Sequence, residues 1–204
     1  MRSTLGVMDR HKLREMSAAE AAGAPPEDQD WFTPLVRGHS RRIFGLLYRM
    51  VGNAGDAQDL AQEVFFRAYQ HREQLRDSAK ATSWLMRIAT NRAIDFQRAH
   101  PAHRQGFSLD DEKNEPLAGS LHSEALTPEQ ELLRAERHRL LSRALQVLSP
   151  KERAAIVLRD LEGYPNREVA ATLGCSMITV RTHIAAARIK IRKYLKEGRR
   201  ETSK

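Results

Sequence analysis

Residue types capable of covalent chemistry are present in this sequence, but not at working spacings. The Asp and Glu side chains fall on helix-periodic faces or in one acidic stretch, not in the paired layout that general acid–base catalysis needs. His100 and His103 lie close together, yet no Cys or carboxylate completes a metal set with them. Cys175 is the single cysteine, which excludes an internal disulfide and a multi-cysteine zinc site. There is no P-loop, dinucleotide fingerprint or Gly-x-Ser-x-Gly elbow. The expectation is therefore no catalytic residue, no metal, no cofactor and no small-molecule substrate. What the sequence does arrange is a set of polar side chains behind a glycine turn. Ser176, Thr179, Arg181, Thr182, His183, Arg188 and Lys190 follow Gly174-Cys175 at helical spacing, with Arg192 and Lys193 beyond them. Hydroxyls, imidazole and guanidinium groups reach base edges, and cations suit phosphates.

These side chains need a helix to present them. A short helix is expected over Arg167–Leu173, capped by Asn166 and stopped by Gly174, then a longer one capped by Ser176. Val169, Ala170, Leu173, Val180 and Ile184 would brace the two helices together, giving a helix-turn-helix. Upstream, Ser149-Pro150-Lys151-Glu152 reads as a capping box with proline at the first helical position. That helix should run to about Leu161 and close at Gly163. Before it, residues 128–148 read as a helix with Leu133, Leu140, Leu141, Ala144, Leu145 and Leu148 facing one way.

Three more helices are expected nearer the N-terminus. Residues 32–51 place Leu35, His39, Ile43, Leu46 and Met50 on one stripe, ended by Gly52-Asn53. Residues 55–70 carry the cleanest period in the chain: Ala57, Leu60, Ala61, Val64, Phe65 and Ala68, with Asp56, Asp59 and Glu63 elsewhere. Residues 71–82 are polar and irregular. Helix resumes at Ser83, a candidate N-cap, and runs to about Arg98, with Trp84 expected in the core. No strand-like alternation occurs, so the fold class is all-α.

Charge divides the 204 residues, of net charge +8, into blocks. Residues 1–30 carry −2, residues 31–104 carry +6, residues 105–130 carry −5, and residues 131–204 carry +9. Two basic blocks flank an acidic spacer, and basic surfaces favour phosphate backbones. The expected organisation is an N-terminal extension over 1–30, disordered; a helical module over 31–104; an acidic linker over 105–127; a second module over 128–196; and a basic tail over 197–204. No apolar run reaches the roughly 20 residues of a membrane span, and residues 1–30 lack a signal-peptide design. A cytoplasmic protein without membrane insertion is expected.

The stretch Leu148-Ser149-Pro150-Lys151-Glu152-Arg153, with Leu158-Arg159-Asp160-Leu161-Glu162-Gly163, Glu168-Val169-Ala170, Thr179-Val180-Arg181 and Ala187-Arg188, resembles region 4 of bacterial sigma factors. Asp59-Leu60-Ala61-Gln62-Glu63-Val64-Phe65, followed by Trp84-Leu85-Met86-Arg87-Ile88-Ala89, Asn91, Asp95 and Arg98, resembles sigma region 2. Two such regions joined by a flexible linker are the plan of the extracytoplasmic function class. The resemblance implies core RNA polymerase binding through Asp56, Asp59, Gln62 and Glu63. It implies contact with the −10 element through Arg87, Asn91, Arg92 and Arg98, and capture of an unstacked base by the loop over about 72–82. Asp95 is expected to be structural, pairing with Arg92 or Arg98. The −35 element would be read by Ser176, Thr179, Arg181, Thr182, His183, Arg188 and Lys190. Partners implied are core polymerase, promoter DNA and an anti-sigma factor. Ile178, His183 and Ala186 depart from the family, which often has a small residue at the first position and arginine at the other two. The alternative is a stand-alone helix-turn-helix regulator, since Thr179-Val180-Arg181-Thr182-His183 also resembles response-regulator DNA-binding domains; that reading leaves 31–104 unexplained. A nuclease would need clustered acidic metal ligands, which are not found.

Overall fold

The computed structural model describes residues 32–75, 77–101 and 127–201. The expectations for residues 1–30, for nearly all of the acidic linker and for the last three residues lie outside the described residues. Among the described residues the secondary structure is helical, with no strand. The helices are α1 (Phe32–Val51), α2 (Ala54–Gln70), α3 (Ala81–Ala99), α4 (Pro128–Gln146), α5 (Pro150–Ile156), α6 (Asn166–Leu173) and α7 (Met177–Glu201). Single 3-10 turns, Arg72–Gln74 and Ser78–Lys80, lie between α2 and α3.

α1, α2 and α3 pack together through the stripes that the periodicity marks. Ile43, Leu46, Met50, Ala57, Leu60, Val64, Ala68, Leu85 and Ala89 are buried, and Trp84 and Phe65 are half-buried against them. Gly52 takes a left-handed φ of 81°, as the break after α1 requires. Asn53 does not share that conformation. It is extended, and its Oδ1 accepts from the Asp56 N–H at 2.9 Å, so it caps α2 rather than ending α1. Ser83 is likewise no cap. α3 begins two residues earlier, and the Ser83 hydroxyl donates back to the Lys80 carbonyl at 3.0 Å.

The C-terminal helices begin with two capping boxes, Thr127/Gln130 for α4 and Ser149/Glu152 for α5. α5 passes directly into a π turn, Val157–Leu161, closed by a bond from the Glu162 N–H to the Val157 carbonyl at 2.9 Å. Gly163 follows at φ 78°. Asn166 is the first residue of α6 and Pro165 occupies the cap position, so the expected asparagine cap is corrected. Proline's fixed φ suits entry to the helix, and its carbonyl accepts from Glu168 and Val169. In α4 the C-terminal end is buried through Ala144 and Leu145, with Leu148 just beyond it; Leu133, Leu140 and Leu141 are exposed. Their periodicity is real, but the face it marks is left on the surface at these three leucines.

The two groups of helices share one continuous hydrophobic core. The Met50 carbonyl, left without a partner by the end of α1, accepts from Gln97 Nε2 of α3 and from Arg153 Nη1 of α5. Glu162, just after the π turn, accepts from Arg42 at 3.0 Å and from Arg49 at 2.8 Å, both on α1. Arg42 also lies 5.8 Å from the centre of the Tyr164 ring.

Candidate nucleic-acid interface

α6 and α7 form the helix-turn-helix. Val169, Ala170, Leu173, Val180 and Ile184 are buried between them and α5. Gly174 takes a left-handed φ of 61° at the turn, which lets α7 leave at a sharp angle. The Cys175 thiol is half-buried in that turn. The Ser176 Oγ accepts from the Thr179 N–H at 3.1 Å and caps α7.

The expected readout residues separate into three situations. Arg181 and Thr182 are exposed, Thr182 opposite Val180 and Ile184 and Arg181 to one side of them, while Thr179 and His183 are half-buried. Both threonine hydroxyls have local partners: Thr179 meets Ser176 Oγ at 2.9 Å, and Thr182 donates to the Ile178 carbonyl at 3.1 Å. Arg188 makes a bidentate pair with Asp160, with contacts of 3.0 to 3.2 Å. Lys190 reaches both oxygens of Glu152 at 2.8 and 2.9 Å. Burial alone would raise the Glu152 carboxyl, but hydrogen bonds from Lys190 and Ser149 outweigh it and hold it below its usual range.

On α3, Arg87, Asn91 and Arg98 are exposed along one stripe, and Asp95 lies in the same stripe. Asp95 pairs with neither Arg92 nor Arg98. Arg92 bonds instead to Glu63 of α2 at 2.6 Å, because α2 and α3 are side by side at that point. Thus a residue expected on the polymerase side and one expected on the DNA side hold each other. Asp59, Gln62 and Glu63 are exposed on α2, and Asp56 is half-buried in its first turn. Sequence reasoning missed Phe66, which is 53% exposed one turn beyond Gln62 and Glu63 on that same face. Its signal was available: it lies off the buried stripe of Ala57, Leu60, Val64 and Ala68, where a large aromatic has no packing reason to be.

A three-helix group with an acidic outward face, carried with a helix-turn-helix whose second helix turns a polar and basic side to solvent, is a two-part helical DNA-reading protein. Residues 35–101 match Sigma-70 region 2, and residues 138–191 match Sigma-70, region 4. The chain is 36% identical over 83% of its length to the ECF RNA polymerase sigma factor SigE of Mycolicibacterium smegmatis, spanning 63% of that relative. It is 30% identical to SigW of Bacillus subtilis, covering 83% of this chain and 91% of that one. With the ECF sigma-E factor of Escherichia coli the identity is 32%, covering 79% and 84%. The chain belongs to the extracytoplasmic function (ECF) RNA polymerase sigma factors. Its fold resembles that of the sigma factor RpoE of Bartonella quintana, solved with the anti-sigma factor NepR, with a TM-score of 0.56 at 19% identity over 81% of this chain and 96% of that one. It also resembles CnrH, solved with the cytosolic domain of CnrY, at a TM-score of 0.52 and 24% identity over 81% and 88%. No single helix among the described residues is long and apolar enough to cross a membrane.

Proposed function

We propose that the α2 face of Asp59, Gln62, Glu63 and Phe66, with Asp56 at its start, docks on core RNA polymerase, and that α3 and α7 read the two promoter elements. The observation that carries this assignment is the separation of surfaces: acidic and aromatic groups project from α2, whereas polar and basic groups project from α7. An acidic patch on an otherwise basic module suits a protein partner rather than a phosphate backbone. Arg87, Asn91 and Arg98 form the −10 side, with Arg92 held by Glu63; Ser176, Thr179, Arg181, Thr182 and His183 form the −35 side, with Arg188 and Lys190 braced by Asp160 and Glu152. The acidic segment over 105–127 joins the two readers, so the second contact becomes intramolecular once the first is made. The protein does no chemistry itself and acts in the cytoplasm, where core polymerase meets the chromosome. An anti-sigma partner covering the α2 face would hold it inactive, and this proposal draws support from the partners in the two solved relatives. The match to residues 35–101 accounts for the module that a stand-alone regulator would leave unexplained.

Run-off transcription from genomic fragments with purified core polymerase tests this assignment, comparing the chain with an Asp59/Gln62/Glu63 triple-alanine variant. Discrete new starts with the wild type and none with the variant are expected. A variant that still supports those starts would sink the α2 assignment.

A further inference from the structure

The outward face of α7 holds an apolar group that the polar readout residues do not account for. Ile178 is 75% exposed, the most exposed large apolar side chain among the described residues. Met177 beside it is 50% exposed, and Ile189 is 62% exposed three turns on. Ile178, Thr182, Ala185 and Ile189 follow i, i+4, i+7, i+11, directly opposite the buried Val180, Ile184 and Ala187. A β-branched residue in the first turn of a helix does nothing for helix propensity, and here it touches no core.

The polar groups around it are largely committed. The Thr179 hydroxyl is turned to Ser176, and the Thr182 hydroxyl to the Ile178 carbonyl itself. Arg181 is exposed and has no ion-pair partner among the described residues. The first two outward turns of this helix therefore offer one guanidinium set among apolar surface. In the major groove, guanidinium reads guanine, while apolar side chains read the thymine C5-methyl group, the one apolar mark a base pair presents there. The exposed cations Arg192 and Lys193 further along the helix favour a polyanion over an apolar protein as the occupant of this face.

We propose that Ile178 is a specificity-determining residue that reads a thymine methyl group in the upstream promoter element, beside a base contact from Arg181. The inference rests on the proposed promoter-reading role of α7. Its chemistry is narrow: replacing thymine by deoxyuridine removes the methyl group and leaves every hydrogen-bonding group in place.

The test uses the full chain with core polymerase on a promoter recovered by run-off mapping. Each thymine of its upstream element, on either strand, is replaced singly by deoxyuridine. Wild-type protein should favour thymine over uracil at one position by about fourfold, the factor that burial of one methyl group is worth. Ile178→Ala should start from both templates equally; Ile178 is on the surface, so this variant keeps its fold, checked by its melting temperature. Equal use of thymine and uracil templates by wild type overturns the proposal, as does a preference that persists in Ile178→Ala. A chain that yields no new start on any fragment overturns the promoter-reading role itself, and the inference with it.

Discussion

The contact of Glu162 with α1 can be tested as a coupling energy. Glu162 keeps only 8% of its side chain exposed, and it accepts from Arg49 at 2.8 Å and from Arg42 at 3.0 Å. Arg49 is 24% exposed and Arg42 44%. A hydrogen bond to a charged partner is worth about 1.5–3 kcal/mol when shielded from water. Solvent screening reduces the Arg42 share to about 0.5 kcal/mol. Most of the interaction therefore lies with Arg49, at about 1.5 kcal/mol. The assay is a double-mutant cycle of Glu162→Gln and Arg49→Met, with each variant followed by urea denaturation. Each single change should destabilise by about 2 kcal/mol, and the double variant by less than the sum, leaving a coupling of about 1.5 kcal/mol. Raising the salt to about 1 M should shrink the coupling only modestly, because the carboxylate is mostly out of water. If the two changes simply add, the residues do not meet in solution. The packing of the last four helices on the first three, as reasoned from this contact, is then refuted.

Glu152 has a folded-state pKa below its ordinary 4.5, so its contribution is complete above the carboxylate range and is lost as pH falls through the lower folded value. Thermal melts from about pH 6 to about pH 3 should therefore show a declining acid limb, and Glu152→Gln should flatten it. Gly174→Ala should cost about 1 kcal/mol for its left-handed φ alone, since its added Cβ would meet nothing within 4 Å. Gly52→Ala should cost more, because its Cβ would also collide with the Gln146 side chain; adding Gln146→Ala should recover the excess in the same melts. The Glu63–Arg92 pair is partly exposed, 47% and 24%, so Glu63→Ala should cost under about 1 kcal/mol of stability while weakening capture of core polymerase in a pull-down. A large drop in melting temperature would instead make Glu63 a structural residue.

How much of this could be read from the sequence depended on how local the cause was. The Ser149/Glu152 box is readable because both partners lie within one turn. The α2 stripe is readable because one period runs unbroken from Ala57 to Ala68. Ser83 and Asn166 were misplaced for the converse reason: each is a good cap, but residues before it decided where the helix began, while Asn53, read as the end of α1, caps α2 instead. The leucines of α4 show the limit of periodicity, which marks an apolar face without saying whether anything covers it. Glu162 and Arg153 carry the contacts between helix groups, with partners 103 to 120 residues away, and Gln97 ties α3 to α1 across 47 residues. Charge and spacing hold no record of such meetings. At the candidate interface, residue types were legible, but the pairing of Arg188 with Asp160, Lys190 with Glu152 and Arg92 with Glu63 was not.

The π turn over Val157–Leu161 sets the phase of everything beyond it. A π turn holds one residue more than the α-helical turn it replaces, so removing a residue there would restore regular winding and rotate the following chain by about 100°. Asp160, which meets Arg188, and Glu162, which meets Arg49, would both swing out of reach of their partners. The segment therefore tolerates substitution far better than a change of length. A one-residue deletion would leave α5, α6 and α7 each intact as helices while misaligning two of the contacts that tie them to each other and to α1.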